Sequence, residues 1–447
     1  MSGEYHFIGI GGIGMSALAR LMLKKKAQVS GSDLNQSYMT QSLMQEGAKI
    51  FIGHSAANIS PNTTVIFSTD IQPDNPEYQA ALHLNCPLKH RSDLLAEIAS
   101  DRLLLAVAGT HGKTTTSALL AWVLASSGHH PSFAVGGLIP QFQSNADHGN
   151  GQYFVAEACE SDGTFLKYNP FGAIITNIDL DHMNYFGTEM VLKEFFERFI
   201  SKVHSHQHLF WCGDDVRLLS LKPAGISYGF SPRCDWRIVD FTQSGWQISL
   251  DAIFQGVLYP KIEVSLIGRH NALNALAVFG LALALGIDEA AIRHALRTFG
   301  GVKRRCEIKG EKDGILFLDD YAHHPTEIAA TLQGIRYAFP ERRLVAIYQP
   351  HRYSRTKDCL GTFGNIFDEA DALFITDIYA AGETPIPGLC CQQIIFEVEL
   401  YSNRPCFYLP RNELGEGLAN YLKAGDVFVS LGAGDITRSS NEIMAKI

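Results

Sequence analysis

Short strand-like runs alternate with helix-length stretches along most of the chain. Strands are expected at Phe7–Ile10, Gln28–Ser30 and Thr64–Ser68, with a helix over Met15–Lys25. A second stretch opens with the apolar run Leu103–Val107 and a helical pattern over Ser117–Leu124. It continues with strands at Tyr153–Glu157 and Ala173–Asn177. The pattern then changes: Ile226–Phe230, Trp236–Asp240, Trp246–Leu250 and Val257–Val264 read as antiparallel hairpins, before helices at His270–Leu285 and Asp288–Thr298. Beyond Gly300-Gly301, a plausible hinge, strands at Ile315–Asp319, Leu344–Tyr348, Ala372–Thr376 and Val427–Leu431 alternate with helices at Thr326–Ala338, Thr356–Glu369 and Glu413–Leu422. The expected fold is α/β in three domains. A Rossmann-like domain covers 1–100, and 101–301 is a central phosphate-loop α/β domain with added antiparallel hairpins. A second Rossmann-like domain covers 302–447. A chain of 447 residues accommodates about three domains.

The chemistry sits where strands end. Ala108-Gly-Thr-His-Gly-Lys-Thr-Thr-Thr116 lies between a strand and a helix, as a phosphate-binding loop must. Backbone N–H groups face an anion there, Lys113 supplies positive charge, and Thr114 can ligate Mg²⁺. Val107 stands where the longer form of the motif has its first glycine. Gly9-Ile-Gly11-Gly12-Ile-Gly14 opens the first helix, and Asp33 follows about 20 residues later. That fingerprint fits a nicotinamide dinucleotide or any nucleotide diphosphate. Glu157-Ala-Cys-Glu160-Ser-Asp162-Gly163 and Asn177-Ile-Asp179-Leu-Asp181-His182 close two strands. Thr114 and Glu157 suit one Mg²⁺, and Asp179 and Asp181 are expected to orient His182. Asn271 and Asn274 share a helix face and suit an adenine edge. In the third segment Asp319–Glu327 and Gln349–Thr356 gather His, Arg and Asp at adjacent strand ends. Arg352 and Arg355 can grip a carboxylate, and Asp320 a ribose or an ammonium group.

Together these stretches resemble the Mur ligase family. The resemblance rests on Gly9–Ser16, Gly109–Thr116, Glu157–Gly163, Asn177–Met183, His270–Asn274, Asp319–Glu327 and Gln349–Thr356, in that order, and spans essentially the whole chain. It implies ATP-dependent joining of L-alanine to the carboxylate of UDP-N-acetylmuramate through an acyl phosphate, in peptidoglycan precursor synthesis. Addition of a whole tripeptide to the same sugar nucleotide is the alternative within the family; outside it the alternatives are an NAD-dependent oxidoreductase and a non-catalytic nucleotide-binding regulator. By resemblance Gly11, Gly12, Gly14, Met15, Ser16 and Asp33 would hold the UDP-sugar. Gly109, Thr110, His111, Gly112, Lys113, Thr114, Thr115, Asn271, Asn274, Arg305 and Asp320 would hold ATP. Thr114 and Glu157 would bind one Mg²⁺ and His182 a second. Tyr321, His351, Arg352 and Arg355 would receive the amino acid, with Lys113, His182, His323 and His351 acting in catalysis. The amine proton would pass to His323 or His351. The chain departs from the family pattern at Ala17 and Ala322, where glycine is usual, and at Cys159 and Asn184, where acids are usual.

Composition narrows the partners. The net charge of −9 gives no bulk attraction to nucleic acid. Nine cysteines without a C-x-x-C pair suit a reducing compartment. Neither a basic leader nor an uninterrupted apolar run of about 18 residues occurs, so a cytoplasmic protein acting on small molecules, away from membranes, is expected.

Overall fold

The computed structural model describes residues 3–447. Three sheets follow one another along the chain, one for each expected α/β unit. The first is wholly parallel, with Glu4–Ile8 at its centre between Gln28–Asp33 and Thr64–Phe67; Lys49–Ile52 and Leu88–His90 form the edges. Strand order reverses beside Glu4–Ile8, so a crevice opens above its C-terminal end, over the glycine turn that starts the helix Ile13–Lys24.

The second sheet has ten strands. Leu103–Ala108 lies inside it, parallel to Gly172–Ile175 on one side and Tyr153–Ala158 on the other. Burial on both faces explains why these strands are continuous apolar runs. One expectation is corrected here: Ile226–Gly229 is no hairpin arm but pairs in parallel with Trp236–Ser244. Only Trp236–Ser244, Gln247–Phe254 and Val257–Val264 form the antiparallel meander.

The third sheet, six strands, is parallel except for the edge strand Glu307–Lys312. The helix expected over Thr356–Glu369 spans only Tyr353–Cys359. The chain turns at Gly361, whose φ of +89° no helix accommodates.

The cores are unequally divided. One continuous apolar cluster runs from Phe7, Leu18 and Met22 of the first unit to Leu119, Phe133 and Phe279 of the second. A buried polar seam reinforces it. Asn145 donates to the Ile13 carbonyl at 2.7 Å and accepts from Arg20, which is itself paired with Glu46. The third unit has clusters on the two faces of its sheet, one of which takes in Ile267 and Trp246 of the second unit, and polar groups at the cleft also join the two.

Candidate active site

The phosphate loop begins where the strand Leu103–Ala108 ends. Gly109 has φ +133°, and a Cβ there would stand 2.0 Å from Thr176 Oγ1, so only glycine fits. Gly112, also at positive φ, precedes the helix Lys113–Ser126 and leaves its first N–H groups open to an anion. Neighbouring strand ends clamp the loop: Thr110 N–H donates to the Asn177 carbonyl at 3.0 Å and His111 N–H to Asn177 Oδ1 at 2.8 Å. The Lys113 ammonium folds back onto the carbonyls of Gly109 and Thr110 and onto Glu160 Oε2, at 2.8 Å. Burial opposes its charge, but the adjacent Glu160 carboxylate more than compensates and raises its pKa.

Thr114 Oγ1 and Glu157 Oε2 face each other at 3.3 Å. A Cβ on Gly136 would fall 2.8 Å from Glu157 Oε2 and 3.0 Å from Thr114 Oγ1, so the missing side chain leaves a cradle beside two oxygen donors. That donor set fits a hard divalent cation. His182, at φ +57°, presents a half-buried imidazole that burial keeps below its ordinary pKa and hence neutral near pH 7. Its orienting partner is Asp181, with Oδ2 3.5 Å from Nε2. Asp179, expected to share that task, turns away: its Oδ2 accepts from His111 Nε2 at 3.0 Å and from Thr326 Oγ1 at 2.7 Å.

Behind the loop lies a cavity of about 430 Å³, lined among others by Thr115, His270, Asn271, Asn274, Arg305 and Asp320. Asn274 Nδ2 donates to Asn271 Oδ1 at 3.1 Å, and Asn271 Nδ2 to the Ile267 carbonyl at 2.8 Å, so one helix face holds both amides in register. Burial pushes Asp320 up to about 6, even though it faces Arg305 and accepts from Ala322 N–H and Cys306 N–H. Arg305 reaches Thr114 Oγ1 at 3.4 Å from across the cleft.

The third unit brings its cluster to the same opening. His323 and His351 have ring centroids 6.0 Å apart, and His351 stacks on Tyr379. Burial lowers His323 to about 4 and His351 to about 3, helped at His351 by the charges of Arg355 and Arg352, so both are neutral bases. Arg355 extends to Asp181 Oδ1 at 3.5 Å, which brings it beside His182. Arg352 points instead toward Asp70 of the first unit, 3.7 Å away, and Tyr321 lies between the guanidinium groups of Arg304 and Arg305.

At the glycine turn, Gly11 N–H donates to Asp33 Oδ2 at 2.9 Å, and Gly12 caps the helix with no side-chain bond of its own. Gly14 faces Arg91, whose Nη1 would be 3.3 Å from a Cβ there. Met15 and Ser16 are buried beneath the turn. Ser16 Oγ donates to the Ile13 carbonyl and accepts from Asn145 Nδ2, so the structure does not bring this pair to the crevice.

Sequence reasoning missed a bridge across the cleft. His111 Nδ1 meets Glu327 Oε1 at 3.2 Å while its Nε2 meets Asp179, and its ring lies 4.9 Å from that of His324. Burial works against the imidazolium, but the hydrogen bonds to Asp179 and Glu327 outweigh it and raise His111 to about 9. Glu327 and His324 stood inside a recognised motif without a role; Arg91 carried no sequence signal.

A phosphate loop roofed by a second Rossmann-like unit, with a glycine-turn crevice opening alongside, defines a three-domain α/β nucleotide-using enzyme. Family profiles agree. Residues 4–103 match the catalytic domain of the Mur ligase family, 107–282 the Mur ligase middle domain, and 304–434 the Mur ligase, glutamate ligase domain. The chain is 54% identical over 446 residues to UDP-N-acetylmuramate–L-alanine ligase of Protochlamydia amoebophila, covering 100% of this chain and 98% of that protein. It is 44% identical to the bifunctional enzyme MurC/Ddl of Chlamydia pneumoniae, over 97% of this chain and 53% of the larger protein. The crystal structure of UDP-N-acetylmuramate-alanine ligase MurC from Thermotoga maritima superposes with a TM-score of 0.86 at 30% identity, covering 99% of both chains. The chain belongs to the Mur ligase family.

Proposed function

We propose that this protein is an ATP-dependent ligase that joins L-alanine to the carboxylate of UDP-N-acetylmuramate, in the cytoplasmic synthesis of peptidoglycan precursors. The observation that carries the reading is the meeting of a phosphate loop with two neutral histidines and a paired arginine from the opposite domain. Full-length similarity to L-alanine ligases supports it. Residues 1–100 would bind the UDP-sugar at the glycine turn, 101–301 ATP, and 302–447 the amino acid.

A carboxylate is a poor electrophile, so its oxygen first attacks the γ-phosphorus of ATP. The bond to the β,γ-bridging oxygen breaks, and ADP leaves behind an acyl phosphate. Lys113 and the N–H groups of the loop neutralise charge on the transferred group, while Asn271, Asn274, Arg305 and Asp320 fix the nucleoside. Thr114 and Glu157 would hold Mg²⁺, and His182 a second ion; bound there, they would screen charge between the phosphates. Arg355 and Arg352 hold the carboxylate of L-alanine so that its amine faces the acyl carbon. His323 or His351, neutral near pH 7, takes the amine proton as the C–N bond forms, and phosphate departs from the tetrahedral intermediate.

Phosphate release should require ATP, Mg²⁺, UDP-N-acetylmuramate and L-alanine together. Release with a tripeptide but not with L-alanine would transfer the assignment to tripeptide addition. No release with any acceptor would refute the ligase reading.

A further inference from the structure

Arg352 and Arg355 stand at the start of the helix Tyr353–Cys359, and a separate loop holds that start in shape. Arg352 has φ +70°, a left-handed backbone that a residue with a Cβ adopts only where its surroundings enforce it. Here they do. The Arg352 N–H donates to the Tyr379 carbonyl at 2.8 Å, and its own carbonyl accepts from Thr356 Oγ1 at 2.8 Å. Tyr379 N–H donates in turn to the Pro350 carbonyl at 2.8 Å, and the Tyr379 ring stacks on His351 with the planes 10° apart. Glu383, further along the same loop, completes the brace. Its Oε2 accepts from Ser354 N–H at 2.9 Å and its Oε1 from Ser354 Oγ at 2.6 Å.

Ser354 lies between the two arginines in the chain, so a carboxylate that grips it with both oxygens fixes the direction of the turn from which both guanidinium groups extend. Arg355 shows what that direction serves. Its side chain is only 15% exposed and faces Asp181 Oδ1 at 3.5 Å, yet its Nε has no hydrogen-bond acceptor among the described residues. A buried N–H of this kind calls for an acceptor, and the carboxylate of a ligand offers two in the planar geometry that guanidinium matches. Such a contact tolerates little displacement of the backbone beneath it. Burial opposes charge on Glu383, but the bonds from Ser354 outweigh it and hold its pKa below the usual carboxylate range.

We infer that Glu383 is a positioning residue for the amino-acid substrate: by clamping Ser354 it holds Arg352 and Arg355 where the substrate carboxylate meets them. The inference rests on the ligase reading and deepens it with a residue outside every motif, 29 positions from the serine it holds. Its action is geometric. The clamp needs one group that accepts from the Ser354 N–H and a second that bonds its hydroxyl, and a glutamine amide supplies both without charge.

Steady-state phosphate release tests this, with each of the three substrates varied in turn. Glu383→Ala should raise KM for L-alanine about tenfold or more through misplacement of the arginines. Its kcat, and its KM for ATP and for UDP-N-acetylmuramate, should stay close to wild type, because the lost contact serves binding of one substrate. Glu383→Gln should restore most of the affinity for L-alanine. Ser354→Ala, which loses the hydroxyl half of the clamp, should raise the same KM by less, with no further rise when it is combined with Glu383→Ala; it serves if the Glu383→Ala chain does not fold. An unchanged KM for L-alanine in Glu383→Ala, a parallel rise in KM for ATP, or a Glu383→Gln variant as impaired as Glu383→Ala would each overturn the inference while leaving the ligase reading intact. A wild type without L-alanine-dependent release would overturn both.

Discussion

Replacing His111 by Gln should release the third domain from the phosphate loop, and the size of the effect follows from the bridge itself. The His111 imidazolium lies between Asp179 of the central domain and Glu327 of the third, with the His324 ring beside it. Raising its pKa from 6.5 to about 9 corresponds to about 3 kcal/mol in favour of the charged form. Only the Glu327 half crosses the cleft, so about 1.5 kcal/mol, roughly a tenfold change in the ratio of closed to open forms, belongs to closure. Because the folded value lies above the ordinary one, this contribution is complete below about pH 6.5 and is lost as pH rises through about 9. Small-angle scattering of the nucleotide-free protein from pH 7 to 10 should show expansion centred near 9. The Gln variant should be expanded throughout and show no such midpoint. Identical pH dependence in both proteins would refute the argument, since lysine and tyrosine titration would then account for any expansion.

Other outcomes are as definite. Lys113→Ala should lower kcat for phosphate release by about 10²-fold or more, because charge neutralisation at the transferred group is lost; near-normal turnover would remove Lys113 from that role. Gly109→Ala should lower the melting temperature in calorimetry. Its Cβ would collide with Thr176 Oγ1 at a backbone angle that costs about 1–3 kcal/mol without glycine, and an unchanged melt would contradict the loop geometry. Asn145→Ala strips the Arg20 guanidinium of a buried acceptor and should destabilise the first two domains by about 1–3 kcal/mol, read in the same scan; a shift confined to the third domain's transition would count against the shared core.

The architecture was legible because its signals are local. The strand before Gly109 is buried on both faces, and a glycine loop followed by a helix is readable within a dozen residues. Errors fell where tertiary contacts decide. Ile226–Gly229 looked like a hairpin arm because the next strand follows so soon, yet Asp235 folds back onto Ser227 N–H and Oγ and returns the chain in parallel. Gly361 ended a helix that the residues beyond it favoured. The cleft bridge was invisible for a simpler reason: His111 is 68 positions from Asp179 and 216 from Glu327, and no spacing rule joins them. Ser16 lies within the glycine motif, but its partner Asn145 is 129 residues away, so its buried role was hidden.

The apolar cluster shared by the first two domains bears on how the two large substrates meet. With the glycine-turn crevice and the phosphate loop fixed to a single core, the sugar carboxylate and the terminal phosphoryl group would approach each other on a rigid frame. Their mutual freedom is then lost at the moment of binding, with no domain motion needed to align them. The third domain would bring the amine to that frame. An order of addition would follow from this: nucleotide and sugar would dock on a preformed surface, and the amino acid would arrive last.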